Sequence, residues 1–328
     1  MSPPLHPAWR WLGARLQDGP LRIALVLALM ALLFSAWRFD SFASAANLRN
    51  IAMSAAILLV MACGACLVIC TAGVDLSVGA VLVFSGVMAA KAMAAVGGEG
   101  IGASLLGLLA ALAAGTAWGA LNGVLVTLAR IPPLVATLGS MGAAQGLAWI
   151  VAGEDLKDVP AWLADSVGFG DLAGVPVLAL IAMAVALALG LLLAHTRFGR
   201  HTLAIGSNPR AARELGIAVN AHLIRVYALA GLLAGLAGLL SLARYGSTTI
   251  AGHATDNLAV IAAVVIGGTS LFGGRGSLFG TAVGVLIPAT LESGLIMLGL
   301  STFWRDVLVG VVLVAAVYLD QAGRRQTR

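Results

Sequence analysis

Few side chains in this sequence carry the chemistry to act on a solute. Between Arg49 and Lys91 the only charged residue is Asp75, in the stretch TAGVDLSVGA (71–80), with Ser77 beside it and apolar runs on both sides. Further along, Glu292 interrupts the apolar run IPATLESGLIML, and Asn122 follows Gly119 in GALNG. A carboxylate at the centre of a membrane-crossing helix costs about 2.5–3.5 kcal/mol on insertion scales, so residues of this kind are the first candidates for function. Asp75 has two readings. It can accept hydrogen bonds from the free N–H groups of a helix that starts just after it, where its charge suits the helix N-terminus. It can also be a gate at the mouth of a path. Glu292 reads as a substrate contact, an interhelix hydrogen bond or a side chain reaching the surface. Asn122 reads as an interhelix hydrogen bond or a substrate contact.

Other chemistries lack the residues they need. Cys63, Cys66 and Cys70 share one helical stripe. Thiolates at that spacing suit a soft metal, but small packing residues in a bundle look the same, and no His or further Cys lies nearby to complete a site. The stretch GGRGSLFG near Arg275 has no phosphate-binding lysine, and the only two lysines, Lys91 and Lys157, follow no glycine-rich loop. No nucleophile–base pair or metal-ligand cluster stands out. The histidines, His6, His195, His201, His222 and His253, fall in or beside loops, where solvated roles are expected. The chain reads as a non-enzyme that binds no cofactor of its own.

The elements that must position these residues are transmembrane helices. The 328 residues are 60% hydrophobic and only 10% charged, against about 25% charged in a soluble domain. Mean hydropathy is +1.01. Apolar runs near 20 residues recur, and no strand-like alternation is present. The fold class is an all-α polytopic membrane protein with about ten spans, at 21–37, 51–70, 77–96, 102–128, 133–152, 175–195, 223–243, 258–268, 278–299 and 303–319. The eighth is short, beginning earlier near Asn257 or ending inside the protein. Residues 1–20 form a cytoplasmic N-terminal segment, 21–320 a single transmembrane domain and 321–328 a cytoplasmic tail. Arg10, Arg15 and the first apolar run imitate a secretory signal, but the run is long and further spans follow, so it reads as an uncleaved span.

With the N-terminus inside and the spans alternating, thirteen Lys and Arg fall on inner segments and six on outer ones. That asymmetry places both termini in the cytoplasm, and it also accounts for the net charge of +5 without a nucleic-acid partner. Glycines align as Gly115, Gly119 and Gly123 in the fourth span and as Gly231 and Gly235 in the seventh, faces that let helix backbones approach closely. Ten spans split five and five, and an odd half reverses direction in its second copy. That is the arithmetic of an inverted repeat.

The longest inner loop, 196–222, contains a helix in miniature. Asn208 can cap it, Pro209 suits its first position, Arg210, Ala211, Ala212 and Arg213 continue it, and Gly216 suits the left-handed residue past its end. Two turns are marginal in water, so this helix needs something to pack against. It reads as a surface loop or as a docking helix for a partner.

The stretch GSNPRAARELGI resembles the cytoplasmic coupling segment of ABC importer permeases. TAGVDLSVGA, LNGVLVTLARIPPLVATLGSM (121–141), VIGGTSLFGGRGSLFGTAVG (265–284) and LGLSTFWRDVLVGVVLVAAVYLD (298–320) resemble, in order, the ribose/arabinose/xylose branch of that family. The resemblance implies a bundle similar to the vitamin B12 importer permease, in the inner membrane of a bacterium. It implies a second permease (identical or paralogous), a cytoplasmic ATPase that hydrolyses the ATP, and a periplasmic binding protein that delivers a monosaccharide. It implies ATPase coupling through Asn208–Arg213 and Gly216, while Asp75, Ser77, Asn122 and Glu292 are the path or gate candidates as polar groups in or beside the spans. The related family often has an amide where Glu292 stands. Sugar sites usually pair aromatic faces with amides, and the modest aromatic content here fits a low-affinity passage. Two other classes remain: a secondary transporter moving protons through Asp75 or Glu292, and a membrane scaffold.

Overall fold

In a computed structural model of the chain, the described residues are 19–97, 100–153, 159–247, 253, 256–301 and 303–325. The expected N-terminal segment with Arg10, Arg15 and His6, the acids Glu154, Asp155 and Asp158 with Lys157, and the last three residues lie outside them.

The helices are α1 Gly19–Trp37, α2 Ala45–Cys70, α3 Val78–Ala95, α4 Ile101–Thr127, α5 Pro133–Ala152, α6 Val177–His195, α7 Arg197–Ser207, α8 Pro209–Glu214, α9 Val219–Tyr245, α10 Asp256–Ile266, α11 Leu278–Met297 and α12 Phe303–Arg325. Seven of them, α2 to α6, α9 and α11, are long and apolar enough to cross a membrane. The apolar parts of α1, Ile23–Trp37, and of α10 are shorter. The chain is thus an all-α polytopic membrane protein. The end of the bundle that carries residues 196–218 is called the near end below, and the opposite end the far end.

Core position follows from burial. Helix α2 is enclosed along nearly its whole length, while α4, α5 and α6 expose most of their apolar surface. Helix α2 lies against α9, α11, α6 and α10, which makes it the axis of the bundle. The three cysteines are buried on this helix, with Cys66 Sγ 3.4 Å from Thr269 Oγ1. The two glycine faces meet each other. A Cβ on Gly115 would overlap the Gly231 carbonyl, and one on Gly119 the Tyr227 carbonyl. Without side chains between them the two backbones touch, and dispersion plus close dipoles hold them where the hydrophobic effect cannot.

Helices α3 and α10 do not begin at opposite surfaces of the bundle; their N-termini meet inside it. Gly79, the second residue of α3, donates its N–H to Asn257 Oδ1, from the second residue of α10, at 2.6 Å. Loop 71–77 therefore turns back between helices. Part of its backbone is paired within the bundle, as buried non-helical chain requires: Gly73 N–H bonds to Val68 O, and Val74 O accepts from the Tyr227 hydroxyl at 3.2 Å. Tyr227 lies eight residues after Val219, which is about 12 Å along α9 from its near end. The short eighth segment starts at Asp256, as its apolar stretch suggested, and α10 has only 11 residues.

At the near end, α8 forms with the expected signals. Asn208 Oδ1 accepts from the N–H groups of Arg210 and Ala211 at 3.0 and 3.1 Å, Pro209 is its first residue, and Gly216 takes φ 81°. Ala212 is buried with Ile205 and Val219, which supplies the packing so short a helix needs. The preceding helix, α7, is not anticipated by the sequence reading. Thr196 caps it by accepting from Gly199 N–H at 3.3 Å, and Gly206 packs directly on the Cys70 carbonyl at the end of α2. The 267–277 loop turns under the same point, with Gly274 N–H bonded to Cys70 O at 2.9 Å. At the far end, residues 159–176 form a helical turn, a π turn and a two-residue hairpin, tied to α2 by the Arg49–Asp171 ion pair at 3.1 Å.

Candidate functional site

Three of the expected site residues come together. Asp75 Oδ1 accepts from the Ser77 N–H at 2.8 Å and from the Ser77 hydroxyl at 2.6 Å. The Ser77 hydroxyl in turn accepts from Asn122 Nδ2 on α4 at 2.8 Å. All three are buried, with Ser77 and Asn122 fully enclosed. An amide donating to a hydroxyl that donates to a carboxylate is a chain in which each bond polarises the next. It ties the re-entrant loop to α4. Burial raises the Asp75 carboxyl above its ordinary value, and the two hydrogen bonds from Ser77 work against that shift.

The carboxylate does not cap the first turn of α3 as the sequence suggested. It reaches only Ser77, ahead of the helix, and the Gly79 N–H is taken by Asn257 from the other half of the chain. Asn257 is the residue that sequence reasoning missed. The only available signal was a lone amide opening a short apolar run. Asn122 Oδ1 has no partner among the described residues, so one acceptor stays open beside Ser77.

Glu292 is not part of this group. It sits toward the far end on α11, where its carboxylate pairs with Arg305 Nη1 of α12 at 3.3 Å. Arg305 also donates to Asp256 Oδ1 at 2.9 Å, and His253 Nδ1 donates to Asp256 Oδ2 at 2.6 Å. The other ring nitrogen of His253 is 2.8 Å from Ser241 Oγ. The expectation of solvated histidines is wrong for two of them. His253 is held in this cluster, and His222 is buried against Thr202 Oγ1 at 2.8 Å with Phe198 stacked nearby. Both flank apolar helices in sequence, and tertiary packing covers them. The order Ser241–His253–Asp256 resembles a nucleophile relay, but Ser241 is buried in α9, so the group ties His253 to α9 and α10.

The geometry is that of two buried polar clusters, one at the start of α3 and one at the start of α10, inside a bundle of apolar helices. The family described as branched-chain amino acid transport system permease component matches residues 47–317, which include both clusters and the 196–222 segment.

The chain belongs to this permease family.

Among relatives of this permease, the D-allose transport system permease protein of Escherichia coli strain K12 is 34% identical over 299 residues, 90% of each chain. The ribose import permease protein of the same strain is 39% identical over 282 residues, 84% of this chain and 85% of the relative. The fructose import permease protein of Rhizobium meliloti is 32% identical over 319 residues, 93% and 86% of the two chains. No solved structure matches this permease.

Proposed function

We propose that this permease is the transmembrane subunit of an ATP-driven importer and forms the passage for a monosaccharide delivered by a binding protein. The observation that carries the reading is similarity along nearly the whole chain to permeases named for ribose, allose and fructose. The same similarity does not favour a proton-coupled carrier built on Asp75 and Glu292. In this reading the chain sits in a bacterial inner membrane with both termini in the cytoplasm. A second permease, identical or paralogous, completes the passage, and a separate ATPase subunit hydrolyses ATP against the near end. Asn208, Pro209, Arg210, Ala211, Ala212, Arg213 and Gly216 form the coupling contact. Their support is a capped, packed α8 that presents Arg210 and Glu214 outward.

Ten spans in a bundle like that of the vitamin B12 importer permease, arranged as a five-plus-five inverted repeat, are also part of the proposal. Support comes from the pairing of α3 with α10 and of α4 with α11. Asn122 and Glu292 each stand five residues before the end of their helix, at Thr127 and Met297 respectively. Both members of the first pair start beside a buried acid, α3 beside Asp75 and α10 at Asp256. Asp75, Ser77 and Asn122 serve as the inner gate, and Glu292 lines the outer part of the passage.

The test is uptake of radiolabelled D-ribose, D-allose and D-fructose in cells carrying the complete importer. ATP depletion, or scrambling of residues 208–216, is expected to abolish uptake. Uptake that survives both treatments overturns the reading.

A further inference from the structure

At the far end a recess of about 410 Å³, counted to its open mouth, lies between α2, α9, α10, α11 and α12. Much of that space is open solvent, so the recess is a shallow open cleft and not an enclosed pocket. Arg244, Tyr245, Glu292 and Arg305 line it together with Asp256 and Ser54.

Two observations indicate what it takes. The first is unused hydrogen-bonding capacity. Arg244 donates Nη2 to Asn50 Oδ1 at 2.8 Å, but its Nη1, like Arg305 Nε, is buried without a partner among the described residues. Guanidinium donors left so are costly, and oxygen acceptors in the recess would satisfy them. Glu292, with its side chain 31% exposed, offers a carboxylate that accepts from hydroxyls. The second observation is an apolar face. Tyr245 is 49% exposed, and its ring is backed by the Arg244 guanidinium, 5.1 Å from its centre. An exposed ring beside hydrogen-bonding groups gives one wet edge and one face for C–H groups.

The charges decide between ligand classes. Two arginines and two carboxylates line the recess in equal number; Arg305 pairs with both Asp256 and Glu292, His253 is engaged by Asp256, and Arg244 bonds the Asn50 amide. A site with no net excess of charge does not select a phosphate or carboxylate. It fits a neutral molecule that both donates and accepts through several hydroxyls and has one C–H face.

We propose that this recess is a carbohydrate subsite at the far mouth of the passage, which receives a neutral monosaccharide before it enters the bundle. The assignment rests on the importer reading above. The near-end cluster is a poor alternative, because its polar groups are enclosed and Tyr227 spends its hydroxyl on Val74.

The full importer is reconstituted in proteoliposomes, and uptake of D-ribose, D-allose and D-fructose is measured per ATP hydrolysed. Tyr245→Leu and Glu292→Gln are expected to lower this ratio roughly tenfold, while Tyr245→Phe, which keeps the ring, stays close to the wild type. An unchanged ratio in both Tyr245→Leu and Glu292→Gln overturns the subsite and leaves the importer reading intact. Wild-type uptake that is independent of ATP overturns the importer reading, as does ATP hydrolysis with transport of none of the three sugars.

A second measurement keeps Arg244, Tyr245, Glu292 and Arg305 intact. Ser54→Cys is labelled with a membrane-impermeant maleimide, with and without the transported sugar. The sugar is expected to slow labelling severalfold while leaving a Leu172→Cys control on the far-end hairpin unaffected. Equal labelling of Ser54→Cys with and without sugar overturns the subsite.

Discussion

Asp75, three residues before α3, and Asp256, the first residue of α10, are both buried acids, yet they are held differently. Asp256 is bound on one oxygen by Arg305 and on the other by His253. Removing one partner of a buried ion pair costs about 3–5 kcal/mol, because the other is left uncompensated. Asp256→Ala is therefore expected to lower the melting temperature of the solubilised protein far more than Asp171→Ala, whose pair with Arg49 is exposed. Among the described residues Asp75 has only the N–H and hydroxyl of Ser77, and burial raises its carboxyl. A carboxyl raised in the folded state favours the fold when protonated. Its penalty is absent below the unfolded value and grows as pH rises toward the folded one. Asp75→Asn, which imitates the neutral form, is thus expected to hold or raise the melting temperature at neutral pH and to flatten its fall with rising pH. Uptake is the separate test of the gate role: normal transport by Asp75→Asn leaves that role unsupported.

Among the helices, the contact of α4 with α9 is set by what is missing from its side chains. Gly119 faces the Tyr227 carbonyl so closely that a methyl group has no room, whereas a Cβ on Gly139 of α5 meets nothing within 4 Å. Overpacking costs about 1–3 kcal/mol, while alanine in place of an unconstrained helical glycine gains up to about 1 kcal/mol. Gly119→Ala is expected to destabilise the solubilised chain, and Gly139→Ala to leave it unchanged or firmer, by thermal melting. Helix α8 depends on its cap in the same local way. Asn208→Ala removes two hydrogen bonds at a cost of about 1 kcal/mol. It is expected to reduce uptake per ATP if the coupling role is right.

For the molecule as a whole, the decisive property is which end faces which compartment. The near end gathers Arg197, Arg200, Arg210 and Arg213, and the far end carries the hairpin with Asp171. Basic loops stay on the cytoplasmic side. Glu214→Cys is expected to react with an impermeant thiol reagent only in inside-out vesicles, and Leu172→Cys only in intact right-side-out ones. The native cysteines are buried on α2 and give little background. The reverse pattern would invert the whole assignment of gate, coupling segment and subsite.

Class, helix positions and α8 were legible in the sequence because each depends on residues close together in the chain. An apolar run long enough to cross a bilayer, an Asn-Pro start and a Gly stop, or a row of glycines four apart all act locally. The glycine faces were visible one at a time, but that they meet each other was not. Partners across the chain were likewise hidden. Nothing in TAGVDLSVGA says that Ser77 will meet Asn122, 45 residues away, or that Gly79 will meet Asn257, 178 residues away. The helices are apolar nearly all round, so hydrophobic periodicity does not orient them about their axes. What orients them is backbone contact at glycines and the need to satisfy each buried polar group. Both are decided only when the bundle closes, and that closure also buries His253 and builds the recess around Arg305 and Glu292.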